Sequence, residues 1–279
     1  MFTLRCLVDN HSSDVIRYQA EHGLAFAIET PAGQILFDTG QSGKVLLHNA
    51  AQMELDLCQV DVLVLSHAHY DHTGGLDAFL QISQPGLPLY AHTELFRERY
   101  AIKDGQARSI GLHLAQTDLA QRVTLHLSAK PTQVLPGVWT TGEITQRTEF
   151  EGRSAHHYIR AENGWQLDPY RDDLSLILEA QAGLILVCGC CHAGLLNTLA
   201  QARRMFDKEI TAIVGGTHLA SLDANTLAHA ITILRTNNIA RSPYLYLNHC
   251  TGEHALAVLT HAFGEKVHLC PAGTVLRFD

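Results

Sequence analysis

The reading of the fold starts from Val60-Asp61-Val62-Leu63-Val64-Leu65-Ser66-His67-Ala68-His69-Tyr70-Asp71-His72-Thr73-Gly74-Gly75. Val60 to Leu65 is a nearly continuous apolar run, the pattern of a short strand covered on both faces. It leads into four potential metal ligands within six residues: His67, His69, Asp71 and His72. On an extended backbone alternate side chains leave the same side, so His67 and His69 can meet one cation. Asp71 and His72, past a turn, can then reach a second ion, because two-metal hydrolytic sites hold their ions roughly 3.5 to 4 Å apart. One HxH among 18 histidines carries little weight. Four ligands directly after a buried strand point to metal binding.

Upstream, Thr3 to Val8, Leu24 to Glu29 and Gln34 to Phe37 read as strands separated by turn signals such as Pro31-Ala32-Gly33, an antiparallel opening. Downstream of Gly75 a helix-like stretch follows. In the second half Leu174 to Leu178, Leu184 to Cys188 and Ile210 to Val214 read as buried strands, interleaved with helical spacing over Ala193 to Phe206 and Ala224 to Asn237. Tyr244 to Leu247 is a further strand, Gly252 to Phe263 a helix, and Thr274 to Phe278 a closing strand. Thr140 to Arg171 is polar, lacks apolar periodicity, and is expected to be a long functional loop.

The 279 residues, 46% of them apolar, can bury a large core. A net charge of −8 without a Lys/Arg-rich run argues against general nucleic-acid binding, although a local basic patch can hold one phosphate. No apolar run approaches the roughly 20 residues that span a bilayer, and the start lacks an export signal. Seven cysteines without a regular framework read as reduced thiols. A soluble, cytoplasmic protein is therefore expected. Its oligomeric state is not legible.

Ser66 to Leu76 resembles the HxHxDH signature of the metallo-β-lactamase superfamily. Other landmarks fall in the same order: Phe37-Asp38-Thr39-Gly40, Cys188-Gly189-Cys190-Cys191-His192 after a strand, and Asn248-His249-Cys250 before a helix. The resemblance covers nearly the full length and implies an α/β fold, a four-layer αββα sandwich, in a single domain over residues 1–279. It also implies two divalent metal ions, zinc first, with manganese or iron(II) as alternatives. His67, His69 and His192 would hold the first ion, and Asp71, His72 and His249 the second. Asp38 would accept a ring N–H from a metal-bound histidine or fix the adjacent loop.

One departure concerns the bridging Asp of many dinuclear members. The corresponding strand end reads Val214-Gly215-Gly216-Thr217-His218, without an Asp, which leaves the metal number open. His218 is then a substitute ligand, a substrate contact or a proton carrier. Cys188, Cys190 and Cys191 invite a thiolate–metal reading, with Cys190 on the same side as His192, but buried small residues are the favoured reading.

Within the superfamily the nearest resemblance is to a branch typified by dihydropterin-ribofuranosylaminobenzene-phosphate synthase. It rests on Glu21-His22-Gly23-Leu24-Ala25, Thr141-Gly142-Glu143-Ile144 with Arg147 to Glu151, Gly215 to Leu219, and His249-Cys250-Thr251-Gly252. The branch usually places Pro before that arginine, where this chain has Gln146. Glu143, His218 and above all Arg147 are the substrate-contact candidates, with Arg153 and Arg160 as further guanidinium groups for a phosphate or carboxylate. A helix starting near Thr251-Gly252 would aim N–H groups at the same anion.

The expected activity is metal-dependent hydrolysis of a small anionic, phosphorylated ester or phosphodiester by a metal-bound hydroxide, oriented by Asp71, with His218 protonating the leaving group. Two alternatives remain open: a pterin-type synthase acting on a ribosyl phosphate or pyrophosphate, and a non-catalytic sensor that binds a metal or small ligand.

Overall fold

The computed structural model describes residues 1–147, 154–236 and 243–279. Arg153, Thr148 to Glu151 and Asn237, all used in the sequence reading, lie outside the described residues. Among those described, the strands form two seven-stranded sheets and one four-stranded sheet. The first sheet runs Val275–Phe278, Phe2–Val8, Ala25–Thr30, Gly33–Phe37, Val62–Val64, Leu87–Ala91, Val123–Leu127. The second runs Val267–Leu269, Tyr244–Leu247, Ile210–Gly215, Gly183–Cys188, Ser175–Ala180, Val138–Thr140, Thr132–Leu135.

Alternation along the strands explains the layering. Phe2, Leu4, Ile35, Phe37, Val62 and Val64 enter the core between the two sheets, where Leu176, Leu178, Ile185 and Val187 meet them. Their neighbours Leu7, Leu36, Leu63 and Leu65 point outward and pack with Leu46 and Phe79 from the helices Gly43–Gln52 and Leu76–Leu80. On the second sheet Ile177, Leu184, Leu186 and Cys188 pack with Leu199, Leu227, Leu234 and Leu259 of Leu195–Met205, Ala224–Thr236 and Glu253–Phe263. Helix, sheet, sheet and helix are thus stacked in four layers. Because both faces of the inner strands are covered, the runs read as continuous apolar sequence rather than as alternation. Each fully buried Leu, Ile, Val or Phe contributes about 1.5 to 3 kcal/mol by removal from water.

The stretch 140–171 corrects an expectation. It contains a hairpin, His157–Ala161 with Gly164–Leu167, joined by Arg99–Lys103 and Gln106–Ser109 into the four-stranded sheet. Gln106–Ser109 is wholly exposed and Gly164–Leu167 nearly so. The strands are held by cross-strand contacts, such as the Arg160 guanidinium 3.9 Å from the Trp165 ring centre. A sheet that shows so little apolar face to a core leaves no hydrophobic period to read.

Gly33–Phe37 and Val62–Val64 pair in parallel, as do Gly183–Cys188, Ile210–Gly215 and Tyr244–Leu247. Their C-terminal ends release Asp38, the His67 loop, Cys190 to His192, Gly216 to His218, and His249 toward one edge of the sandwich. Among the described residues no helix is long and apolar enough to cross a membrane.

Candidate metal centre

His67 and His69 lie on the extended link after Val62–Val64, and Asp71 and His72 on the one-turn helix Tyr70–Thr73. This turn packs directly on the chain at 39–41. A Cβ added at Gly74 would stand 2.1 Å from Gln41 O, and one at Gly75 2.2 Å from Thr39 O. The peptide between the two histidines is clamped as well: Ala68 N donates to Asp172 Oδ2 at 2.9 Å. Asp172 Oδ1 meets Arg99 Nη2 at 2.8 Å, and Asp168 Oδ2 meets Arg99 Nε at 3.1 Å, all three side chains being buried.

Asp38, fully buried with φ 60°, grips the loop from below. Its Oδ1 accepts from Ser66 N at 2.7 Å, and its Oδ2 from Ser66 Oγ at 2.6 Å and His72 Nδ1 at 2.7 Å. Ser66 Oγ in turn lies 2.9 Å from His67 Nδ1. With the hydroxyl proton given to Asp38, that ring nitrogen is the donor, which leaves the Nε2 lone pair of His67 bare. His249 is set in the same way. Its N donates to Asp9 Oδ1 at 2.8 Å and its Nδ1 faces Asn10 Oδ1 at 3.0 Å.

The side chains of His67, His69 and His192 offer nitrogens that lie within 4.8 Å of one another. His67 Nε2, His69 Nε2 and both ring nitrogens of His192 are buried without a hydrogen-bond partner. Leaving a buried polar group unsatisfied costs about 1 to 3 kcal/mol, so three such groups converging on one point fit a cation. Burial, aided by the charge of neighbouring imidazoles and opposed at His69 by that of Asp71, drives all three pKa values well below the ordinary histidine value. The rings stay neutral, as ligation requires.

Beside this trio, Asp71 Oδ2 lies 3.1 Å from His22 Nε2, 3.4 Å from His249 Nε2 and 3.8 Å from His72 Nε2. Burial would raise the Asp71 pKa, but the charges and hydrogen bonds of His72, His22 and His249 prevail and lower it well below the usual carboxylate range. For His72 burial works downward, yet Asp38 and Asp71 outweigh it and raise the ring to about 9. These donors also fit a cation, which would take the place of the proton on His72 Nε2: an anionic oxygen and imidazole nitrogens converge, with the far side of each of His72 and His249 already anchored.

The other expected site residues are placed differently. The His218 ring is 4.4 Å from that of His192, at φ 52°, with a buried Nδ1 lacking a hydrogen-bond partner. Arg147 donates Nε to Ile144 O, Nη1 to Pro169 O and Nη2 to Tyr170 O, so it ties two loop segments together at the wall of a 480 Å³ cavity. Glu143 lines the same cavity, 3.7 Å from His92 Nε2 and 3.8 Å from Arg171 Nε. Arg160 stacks on Trp165 in the exposed hairpin.

Sequence reasoning assigned no site role to several residues that the fold brings in. His22, used only as part of a phrase, meets Asp71. Tyr170 stacks on His192 with ring centres 4.6 Å apart and an angle of 5°, and its hydroxyl is 2.9 Å from His157 Nδ1. The buried Asp173 accepts from Ala193 N at 2.8 Å and thereby sets the turn after His192. Asp172 and Arg99 brace the loop. Only Glu21-His22-Gly23 carried a local signal; the others are joined by the fold across long sequence separations.

Residues 19–161 match the family model described as the metallo-beta-lactamase superfamily. The chain is 27% identical over 271 residues, 94% of its length and 91% of the relative, to 7,8-dihydropterin-6-methyl-4-(beta-D-ribofuranosyl)-aminobenzene-5'-phosphate synthase of Methanocaldococcus jannaschii. It is also 27% identical over 259 residues, 92% of its length and 93% of the relative, to the uncharacterized protein MJ0448 of the same organism. The crystal structure of Tm1679, described as a metal-dependent hydrolase of the beta-lactamase superfamily, superposes with a TM-score of 0.84 at 23% identity over 99% of both chains. The chain belongs to the metallo-beta-lactamase superfamily.

Proposed function

We propose that this protein is a metal-dependent hydrolase of a small anionic, phosphorylated ester or phosphodiester, working from a two-ion centre held by His67, His69, His192, Asp71, His72 and His249. The single observation that carries the reading is the convergence of His67, His69 and His192 with buried, unpartnered nitrogens. Divalent ions, zinc first, would supply positive charge to a phosphoryl or acyl oxygen and make water nucleophilic at neutral pH. Asp71, kept ionised by its histidine neighbours, orients the attacking water through its carboxylate. His218, beside His192, delivers a proton to the leaving oxygen, a role worth about 10² to 10⁴-fold. The cavity walled by Glu143, Arg147, Tyr170 and Arg171 admits the substrate, and the half-exposed Arg171 meets its negative charge. The whole chain, 1–279, acts as one domain. Support comes from its first and last strands, which pair Phe2 with Phe278, and from the core shared by both large sheets.

The match to the Methanocaldococcus jannaschii synthase along nearly the full length of both chains favours a second reading, transfer from a ribosyl phosphate or pyrophosphate. Turnover of a phosphoester panel in ¹⁸O-labelled water separates the two. Label in the product is expected for hydrolysis; unlabelled product joined to an added acceptor overturns it in favour of transfer.

A further inference from the structure

Cys190 follows Gly183–Cys188 and is buried among the site histidines. Its Sγ lies 3.2 Å from His72 Nε2. The donor atoms that approach within 4.8 Å of one another place Cys190 in one group with His67 and His72, and in a second with His249 and Cys250. His67 belongs to the first set of proposed ligands; His72 and His249 belong to the second. Cys190 thus stands in these groups with His67 of the first set and with His72 and His249 of the second. Asp71 groups with His22 and His249.

The strand end opposite reinforces this placement. At Gly216 a Cβ would stand 2.4 Å from Gly189 O and 2.8 Å from Cys250 Sγ. No side chain can enter from that position, where the Cys250 sulfur and the Gly189 carbonyl already fill the space. Cys250 Sγ is oriented by its neighbours: it accepts from His218 N at 3.3 Å and lies 3.4 Å from Cys190 O.

We propose that Cys190 is a metal ligand of this centre, a thiolate that would hold a cation together with the histidines of both sets, with Cys250 Sγ beside it. The proposal rests on the metal-centre reading above and replaces the reading of Cys190 as a buried small residue. Metal–sulfur bonds of about 2.3 Å and metal–nitrogen bonds of about 2.0 Å give a tetrahedral edge of roughly 3.5 Å, close to the Cys190–His72 separation. On binding, the S–H bond breaks, its proton passes to solvent, and sulfur lone pairs form the metal bonds. A soft donor between two nitrogen- and oxygen-bearing sets favours zinc over manganese or magnesium.

The test uses the full chain, stripped with a chelator and reloaded with cobalt(II) or zinc. Wild type is expected to show a near-ultraviolet sulfur-to-cobalt charge-transfer band alongside the visible cobalt bands. Cys190→Ser should lose the former and keep the latter, and Cys250→Ser should retain both. X-ray absorption at the zinc edge of the wild-type protein needs no variant and should place sulfur at about 2.3 Å. Visible bands without charge transfer, a zinc shell of nitrogen and oxygen only, or a band that survives in Cys190→Ser each overturn the assignment while leaving the histidine centre standing. Wild type that takes up neither metal removes the centre itself, and the proposal with it.

Discussion

Asp38 Oδ2 and His72 Nδ1 are 2.7 Å apart, both side chains fully buried, and the same carboxylate also receives Ser66 Oγ, which faces His67 Nδ1. One carboxylate therefore orients a histidine from each proposed ligand set, and in each ring it turns Nε2 toward the other donors. Groups that fix a ligand's tautomer and angle are worth about 10- to 100-fold in metal affinity. Asp38→Asn tolerates the positive φ and keeps the shape while removing the charge. We expect its affinity in chelator competition to fall within that range; unchanged affinity would mean that the hydrogen bond is incidental.

Asp172 joins two jobs: it accepts from Ala68 N, between His67 and His69, and it pairs with the buried Arg99. Truncation to Ala strands a buried guanidinium with Asp168 alone and frees the loop peptide. Breaking a buried pair from one side costs about 3 to 5 kcal/mol. Urea unfolding of Asp172→Ala should reveal a loss of this size, and a loss under about 1 kcal/mol would contradict the bracing role.

Asp173 gives stability a pH dependence of predictable sign. Burial raises its pKa to about 7 in the folded chain, against the backbone hydrogen bond from Ala193 that lowers it. Its unfolded value lies near 4. Between these values the folded chain keeps a proton that the unfolded chain has released. The contribution of this group is therefore full below about 4, declines as pH rises, and is lost above about 7. Unfolding midpoints at the two ends of this window should fall further for wild type than for Asp173→Asn. Equal declines would show that the carboxyl is ionised when folded.

Much of this was legible in sequence because the information was local. Ile35 to Phe37 and Val62 to Leu65 are apolar at successive positions since alternate residues feed two different cores, and such runs announce strands covered on both faces. The ligand loop was legible for the same reason, its donors lying within six residues. The exposed hairpin at 157–167 was not, because its strands hold by backbone pairing and by contacts such as Arg160 on Trp165. Cys190 and Arg147 show the other limit. The sequence around Cys190 offered a thiolate–metal reading without favouring it over a buried small residue, and nothing near Arg147 tells that it spends three donors on backbone carbonyls.

The most direct test of the metal centre is elemental analysis of the purified protein beside its His67→Ala and His192→Ala variants. About two zinc, manganese or iron ions per wild-type chain, with loss in both variants, is the predicted result. A wild-type chain that holds no divalent ion even after metal addition, or variants that keep the wild-type content, would contradict it.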